Sequence, residues 1–285
     1  MASNSGTPSD LVIQRRDMRF GRDTPNPRWW HGGDPGRTAF FNALSSTFPL
    51  GEKFFMQSIK RYRDRTEEPL RSQIDDFMYQ ESMHSREHAV FNRQAEDAGY
   101  DIRPLEERTR VTVSWAKSRP HQIQLAATCA LEHFTAVLAH GVLADPKYLD
   151  GVSPEAFRLW RWHAIEEIEH KAVAFDTWNS VTRKLPGIRR WARRCVVMAT
   201  ATVRFHWVIY RNTADLLKQD GLNNFGTWMR LLAFLYGRPG PMRVLVQGAF
   251  GYMRPGFHPW HTDDRELVEG ALESLNMFKE QESPA

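Results

Sequence analysis

Two Glu-x-x-His motifs constrain the fold of this 285-residue chain more than any other feature of its sequence. Glu81 and His84 form one motif in ESMH, and Glu167 and His170 form the other within RWHAIEEIEHKAVAF. Side chains three or four residues apart share one face of an α-helix, so each motif directs a carboxylate and an imidazole to the same side. Burying a carboxylate is unfavourable unless a partner charge or a metal compensates it. The motifs therefore predict helices that pack around a polar, metal-binding centre.

Two further glutamates interrupt apolar helical segments. Glu52 lies in PLGEKFF, and Glu132 lies in ALEHFTA. Helix bundles with dinuclear sites supply one Glu from each of two helices and a Glu-x-x-His motif from each of the other two. The sequence offers the same set, in the order Glu, Glu-x-x-His, Glu, Glu-x-x-His. We therefore expect an all-α fold in which a four-helix bundle holds a dinuclear metal site and additional C-terminal helices follow.

Proline, glycine and capping residues indicate the limits of the four helices. The predicted helices begin near Pro49, extend from Pro69 to Gly99, extend from Pro120 to Gly141, and extend from Ser153 to about Lys184. Residues 1–36 are polar and rich in Pro and Gly, which predicts an extended N-terminal arm. We expect residues 37–186 to form the bundle and residues 187–285 to form a helical extension that packs on it.

The bulk composition is that of an ordinary globular protein. Hydrophobic residues make up 41% of the chain and charged residues 25%, with a net charge of +4. Basic and aromatic residues are not interleaved in the way that would indicate nucleic-acid binding. The two cysteines lie in apolar segments, and the opening MASNSGTPSD lacks the regions of a signal peptide. We therefore expect a reducing, cytoplasmic location.

The segment after Gly187 differs in character from the predicted bundle. RRWARRC is followed by VVMATATVRFHWVIY, which is shorter than a membrane span and is interrupted by Arg204 and His206. An amphipathic helix that lies on the bundle or on a membrane surface fits this pattern. The arginines between residues 189 and 194 favour a solvated face over a lipid site. Peripheral contact with the inner face of a membrane and formation of a homodimer both stay open.

Several residues near the motifs are candidates for orienting the metal-binding imidazoles. His88 follows His84 by four residues, and it is either a metal or supporting residue or a hydrogen-bonded core histidine. The other supporting candidates are Asn92, Glu166 and Asp176. Glu169 is expected to face elsewhere, and we interpret His133 and His258 as structural.

The chain resembles the bacterial family of predicted metal-dependent hydrolases. The resemblance lies in FPLGEKFF, FMYQESMHSREHAVFN, ALEHFTA, WHAIEEIEHKAVAFD and RPGFHPW. The ligand pattern is similar to that of ferritin-like di-metal proteins, and to the di-iron p-aminobenzoate N-oxygenase type, in which a third histidine precedes the last Glu by four residues. His163 stands at that position. The resemblance thus implies seven metal-binding and catalytic residues: Glu52, Glu81, His84, Glu132, His163, Glu167 and His170.

These features favour a di-iron oxidase or oxygenase. Two Fe ions, or Mn or a mixed Fe/Mn pair, would activate O2 to oxidise an apolar or aromatic small molecule. An external electron donor, and hence a redox partner, is expected because the chain has no flavin, haem or iron–sulfur motif. The first alternative is a metal-dependent hydrolase that uses a metal-bridging hydroxide. The second is a non-catalytic iron-binding protein.

Overall fold

Helices form almost all of the regular structure in the computed structural model, which describes residues 6–22 and 24–282, without the side chains of residues 275–282. The predicted all-α class is confirmed. The helices are α1 (Pro35–Ser45), α2 (Phe48–Lys60), α3 (Leu70–Asp97), α4 (Arg103–Lys117), α5 (His121–Ala144), α6 (Pro154–His170), α7 (Val173–Val181), α8 (Gly187–Gln219), α9 (Phe225–Leu232), α10 (Pro241–Tyr252) and α11 (Arg265–Glu282).

Four of these helices surround one another in the arrangement of a bundle. Helix α2 packs on α3 and α5, and α6 packs on α5 and α3, so the four helices form a closed ring. These are the helices that carry the predicted ligands. Prolines near their first turns set the starts of α2, α5 and α6, as expected from the fixed φ of proline. The observed ring is compatible with the ferritin-like architecture.

The predicted fourth helix is interrupted. The structure has α6 up to His170, a turn at Lys171 and Ala172, and then α7, which ends three residues before Lys184. No proline or glycine marks this turn, so the sequence pattern does not reveal it. At the turn, the buried Lys171 ammonium donates to Asp264 Oδ2 at 2.5 Å and to the Thr262 carbonyl at 2.8 Å. The interruption therefore coincides with a buried ion pair between the bundle and the C-terminal segment.

The four-helix prediction also omits α1 and α4. Asp34 caps α1, because its Oδ1 accepts a hydrogen bond from the Arg37 amide at 2.9 Å. Helix α4 is rich in polar residues, yet it packs against α2, α5 and α8. Leu105 and Thr109 are the only buried residues of α4, and its low overall hydrophobicity explains why it was not predicted.

Residues 11–20 of the N-terminal segment form neither helix nor strand, and α1 begins at Pro35. Ile13, Phe20 and Trp30 are buried in the main hydrophobic core. Glu87 on α3 accepts hydrogen bonds from the Phe20 amide at 3.0 Å and from Arg22 Nη2 at 2.7 Å. The arm is therefore packed onto the bundle. Residues 1–5 of the predicted arm lie outside the described residues.

The helices after residue 187 pack on the earlier ones. Helix α8 is a single helix of 33 residues that contacts α1, α4, α5 and α10. Helix α9 continues into a π-helical turn over Ala233–Gly237, α10 packs on α5, and α11 packs on α6 and α5. Arg194 departs from the expected solvated face, because it is buried against the rings of Phe175, Tyr252 and Phe257. The division into domains stays a prediction.

One helix of the described chain, α5, is long and apolar enough to cross a membrane by length and composition. In this fold α5 is the helix that contacts α2, α6, α7, α8 and α10, and 61% of its most apolar window is buried. A buried core helix has the same composition, so α5 is explained by its central position in the bundle.

Candidate metal centre

The seven predicted ligands come together in the middle of the bundle, and all seven are buried. Their ligand atoms form three groups within which every pair of atoms lies within 4.8 Å. The groups are Glu52–His84–His163, Glu81–His84–Glu167 and Glu81–Glu132–His170. Glu81 and His84 are shared, so the three groups make one continuous cluster. This size and connectivity fit two adjacent cations better than one.

Many polar atoms of this cluster have no hydrogen-bonding partner among the described residues. They are Glu52 Oε1, both carboxylate oxygens of Glu81, both of Glu132, Glu167 Oε2, His84 Nδ1 and His170 Nε2. Buried polar atoms are almost always satisfied, because an unsatisfied one is costly. A set of oxygens and imidazole nitrogens that face one another is what a carboxylate- and imidazole-bound metal pair needs. The residues therefore fit a dinuclear centre.

The charges of the cluster perturb the pKa values of its glutamates in opposite directions. Burial raises the pKa of Glu52 and of Glu132 well above the ordinary value, and the nearby Glu81 carboxylate adds to both shifts. Burial would also raise the pKa of Glu81, but the adjacent imidazoles of His170 and His84 lower it. The pKa of Glu167 is likewise lowered, mainly by the His170 charge and by His163. Such a crowded set of acids needs protons or metal cations to balance it.

His84 is oriented by a buried carboxylate on the opposite side from the cluster. Its Nε2 donates to Glu166 Oε2 at 3.1 Å, while its Nδ1 lies 3.7 Å from both Glu81 Oε1 and Glu167 Oε1. Burial would lower the pKa of His84, but Glu166 and Glu81 together raise it to about 10. With the Nε2 proton held by Glu166, Nδ1 is the atom that can bind a metal. The predicted supporting role of Glu166 agrees with this geometry.

His170 is oriented through a side-chain amide. Its Nδ1 donates to Gln80 Oε1 at 2.8 Å, and the Gln80 amide nitrogen donates to Glu169 Oε2 at 2.8 Å. His170 Nε2 then faces the cluster, 3.2 Å from Glu81 Oε1. The expectation that Glu169 faces elsewhere therefore needs correction: Glu169 is not a ligand, yet it holds the amide that orients His170.

His163 is oriented by a chain of hydrogen bonds that begins at Asn92. Ser45 Oγ donates to Asn92 Oδ1 at 2.7 Å and therefore accepts from His88 Nδ1 at 2.9 Å. His88 Nε2 then accepts from His163 Nδ1 at 2.6 Å, and His163 Nε2 faces Glu167 Oε1 at 2.8 Å. Burial lowers the pKa of both histidines, which keeps them neutral in this chain. His88 and Asn92 thus lie where the supporting role was predicted.

The guanidinium of Arg16 links two of the acids that hold the ligand imidazoles in place. Arg16, in the N-terminal arm, donates from Nη2 to Glu169 Oε1 at 2.6 Å and from Nη1 to Glu166 Oε1 at 3.3 Å. Glu166 Oε1 also accepts from Trp162 Nε1 at 2.9 Å. Arg16 compensates the two buried acids that orient His84 and His170. No sequence motif marks Arg16, because it lies about 150 residues from its partners.

The predicted supporting role of Asp176 is wrong. Asp176 Oδ1 contacts His258 Nε2 at 3.0 Å, and its Oδ2 accepts from Thr7 at 2.5 Å. The turn after His170 places Asp176 on α7, away from the face that carries Glu167 and His170. His258 and His133 agree with their structural interpretation, since His133 Nε2 bonds to the Gly248 carbonyl at 2.9 Å.

Two apolar cavities adjoin the candidate centre. The larger, of about 300 Å³, reaches Glu52 between α2, α4, α5 and α8. The smaller, of about 40 Å³, is lined by His163 and Glu167 together with aromatic and aliphatic residues. Phe48 and Thr135 line both cavities and separate them. The Phe48 ring contacts the rings of His88 and His163, with centroid distances of 4.6 and 4.9 Å.

Comparison with known proteins identifies one family. A model of the family described as predicted metal-dependent hydrolase matches residues 14–263, which include all seven predicted ligands, Arg16 and most of the C-terminal helices. Neither the curated proteins nor the solved structures that were compared with the chain gave a match. The match covers most of the sequence and agrees with the buried Glu and His cluster, so the chain belongs to the family of predicted metal-dependent hydrolases.

Proposed function

We propose that this chain is a di-iron oxidase or oxygenase that uses O2 to oxidise an apolar or aromatic small molecule. One observation carries the proposal: four buried glutamates and two buried histidines present unpartnered atoms to one another beside an apolar cavity, with His163 in the same cluster. Oxygen and imidazole ligands suit iron, with manganese or a mixed pair as alternatives. The donor pattern also resembles those of ferritin-like di-metal proteins and of the p-aminobenzoate N-oxygenase type.

The cluster divides into two ends and a middle. Glu52 and His163 would hold one ion, and Glu132 and His170 would hold the other. Glu81, His84 and Glu167 lie between them and would complete the coordination of the two ions, with His84 binding through Nδ1. When bound, two reduced iron ions with open coordination positions supply electrons and a binding place for O2.

The chain's own residues prepare the site for this chemistry. Glu166, Gln80 and His88 hold the three ligand imidazoles in single orientations, each with one ring nitrogen directed at the cluster. The aromatic rings of Phe48 and Phe55 separate the ligands from solvent on the cavity side. A preorganised, water-poor site strengthens electrostatic interactions and protects reactive species from side reactions.

The two cavities support a reaction between an organic molecule and a small gas. The larger cavity has the size of a small-molecule site and is almost wholly apolar next to Glu52. The smaller cavity, at about 40 Å³, has room for about one water-sized molecule and adjoins His163 and Glu167. An organic substrate and O2 would thus approach the centre from two sides of Phe48.

Hydrolysis by a metal-activated water is the second candidate, and the family description favours it. Glu52 or Glu132 would then act as the general base, since burial raises the pKa of both carboxyls. A hydrolase needs donors for a polarised carbonyl or phosphoryl oxygen. The described residues around Glu52 in the cavity are mainly hydrocarbon, which supports oxidation of a C–H or aromatic group instead. Non-catalytic iron binding is the third candidate.

The experiment that separates these functions measures oxygen and ester turnover on the same preparation. The protein is loaded with ferrous iron without oxygen, and O2 uptake is then followed with a chemical reductant and p-aminobenzoate as an aromatic probe. We expect iron-dependent O2 uptake that is lost in His170→Ala. Hydrolysis of p-nitrophenyl butyrate by the Mn²⁺- or Zn²⁺-loaded protein, with no O2 uptake by the iron form, would instead establish the hydrolase. Bound iron with neither activity would favour the non-catalytic candidate.

The partners follow from this proposal. We propose an external electron donor, delivered by a redox partner protein, in a cytoplasmic setting.

We also propose peripheral contact with an anionic membrane through α8, whose exposed side carries Ile188, Arg189, Arg193, Val203 and Trp207. A homodimer stays a prediction that the molar mass in solution would test.

A further inference from the structure

The larger cavity has a buried end and an exposed end with different chemistry. Its three charged lining residues are Glu52, Arg119 and Arg204. Glu52 is 2% exposed, Arg204 is half-buried and Arg119 is exposed. The cavity therefore runs from the candidate metal centre to an opening between α4 and α8, where both arginines lie.

The opening presents positive charge without a compensating acid. The guanidinium of Arg204 lies 3.6 Å from the centre of the Trp115 ring, and that of Arg119 lies 4.5 Å from the same ring. Neither arginine forms a salt bridge with a carboxylate in the described part of the chain. Each guanidinium therefore packs on the Trp115 ring through a cation–π contact. A guanidinium without a carboxylate partner is complementary to an anionic group, which it can meet with two N–H donors.

The interior between these ends is hydrocarbon. It is lined by aliphatic side chains from α4, α5 and α8: Val113, Ala116, Ile123, Ala127, Leu131 and Val197. A volume of about 300 Å³ accommodates about ten methylene-sized groups, because a water of similar size occupies about 30 Å³ in the liquid. Polar or charged groups would lose their hydration there without gaining partners.

We propose that this cavity binds a medium-chain carboxylate, with its carboxyl group at the Arg204 end of the cavity and its alkyl chain directed towards Glu52. This assignment rests on the proposed function in one respect: the end of the alkyl chain that lies near Glu52 is the part that reacts. It names the substrate class of the same site as an anionic amphiphile, and it predicts that the reacting atoms are those far from the carboxylate. Binding itself depends on the cavity and the arginines.

The test compares decanoate with decanol, which have the same chain but differ in charge. Affinity for each is measured by calorimetry on the full chain, with and without bound iron. We expect Arg204→Gln to weaken decanoate binding by about tenfold and to change decanol binding by less than about twofold. Arg211→Gln is the matched control, because Arg211 is exposed on the same helix and lies outside the cavity lining, and it should leave both affinities unchanged. Equal losses for decanoate and decanol in Arg204→Gln would overturn the role of the charge.

A second variant tests the position of the alkyl chain. Ala201→Phe fills part of the cavity from α8 and should abolish binding of both ligands, while circular dichroism and the iron content stay unchanged. Undiminished decanoate binding in Ala201→Phe would contradict the proposed location. The outcomes also separate this inference from the proposed function: a protein that binds two irons but not decanoate contradicts only the inference. Conversely, one that binds decanoate but no metal contradicts only the di-iron function.

Discussion

Buried acids at the centre of this molecule make its residue-scale energetics unusual. Glu81 and Glu132 have no hydrogen-bonding partner for any of their carboxylate oxygens among the described residues. Breaking a buried charge network normally destabilises a protein, because a remaining charge is left without its partner. Here the network is incomplete without cations, so removing one acid should affect metal binding more than folding.

Glu132→Gln tests this expectation at a residue whose carboxylate oxygens accept no hydrogen bond in the described structure. The substitution preserves shape and removes one charge, so we expect iron content to fall from about two ions to about one per chain, with the helical circular dichroism spectrum unchanged. Glu107→Gln on α4 is the matched control, since Glu107 is exposed and pairs only with Arg110 in the described structure. Two tightly held ions in Glu132→Gln would contradict the assignment of Glu132 as a ligand.

The pKa values predict that metal binding releases protons. At neutral pH, His84 is protonated in the metal-free protein, because neighbouring acids raise its pKa to about 10. Glu52 and Glu132 also retain protons to higher pH than ordinary carboxyls. A metal displaces these protons, so affinity should rise with pH by about tenfold per pH unit for each proton released. The same shift makes His84 stabilise the metal-free fold below its unfolded pKa of about 6.5, a contribution that is lost as pH rises through about 10.

Calorimetric titration of a divalent metal in buffers of different ionisation enthalpy measures the number of protons directly. We expect at least one proton per chain near pH 7. An affinity that does not change between about pH 6 and pH 8 would show that the cluster is already deprotonated and would contradict these pKa shifts.

At the scale of elements, the N-terminal arm supplies the positive charge that pairs with two buried carboxylates of the bundle. Arg16 reaches Glu166 and Glu169, and through them it supports His84 and His170. Loss of such supporting groups typically weakens metal binding by about 10- to 100-fold. We therefore expect Arg16→Gln to lower metal affinity by about that factor, measured by competition with a chelator. Arg19→Gln is the control on the same arm, because its side chain is 68% exposed. Equal affinities for the two variants would mean that the arm only covers the bundle.

The sequence predicts some elements well and others poorly for physical reasons. Helix α3 lies between Pro69 and Gly99 as predicted, whereas α5 begins after Pro120 but continues three residues past Gly141. The turn at Lys171 is hidden, because the residues on both sides of it are helical and no proline or glycine marks it. The ligands follow from local spacing on helices. Arg16 and Gln80 could not be predicted as supports, because only the fold brings them to Glu169.

At the scale of the whole molecule, α8 connects the bundle to its surroundings. It provides one wall of the larger cavity and also an exposed side with basic and apolar residues. The cavity is not visible from local sequence, because it exists only where α8 lies against α4 and α5.

The exposed side of α8 leads to a prediction for membranes. A double variant, Arg189→Gln with Arg193→Gln, should reduce co-sedimentation with vesicles that contain phosphatidylglycerol, since basic residues near an anionic surface contribute about 1 kcal/mol each. Pure phosphatidylcholine vesicles should bind weakly, and salt should reduce binding to the anionic ones. If the unmodified protein binds neither vesicle, α8 has no membrane role.

The central claim is that four helices of this fold hold two metal ions. The most direct measurement is the metal content of the full chain after anaerobic loading with ferrous iron and removal of loosely bound metal, compared with that of the His84→Ala/His170→Ala double variant. We predict about two irons per chain for the unmodified protein and fewer than about one for the double variant. Equal iron contents in the two proteins, or fewer than one iron per chain in the unmodified one, would contradict the dinuclear centre.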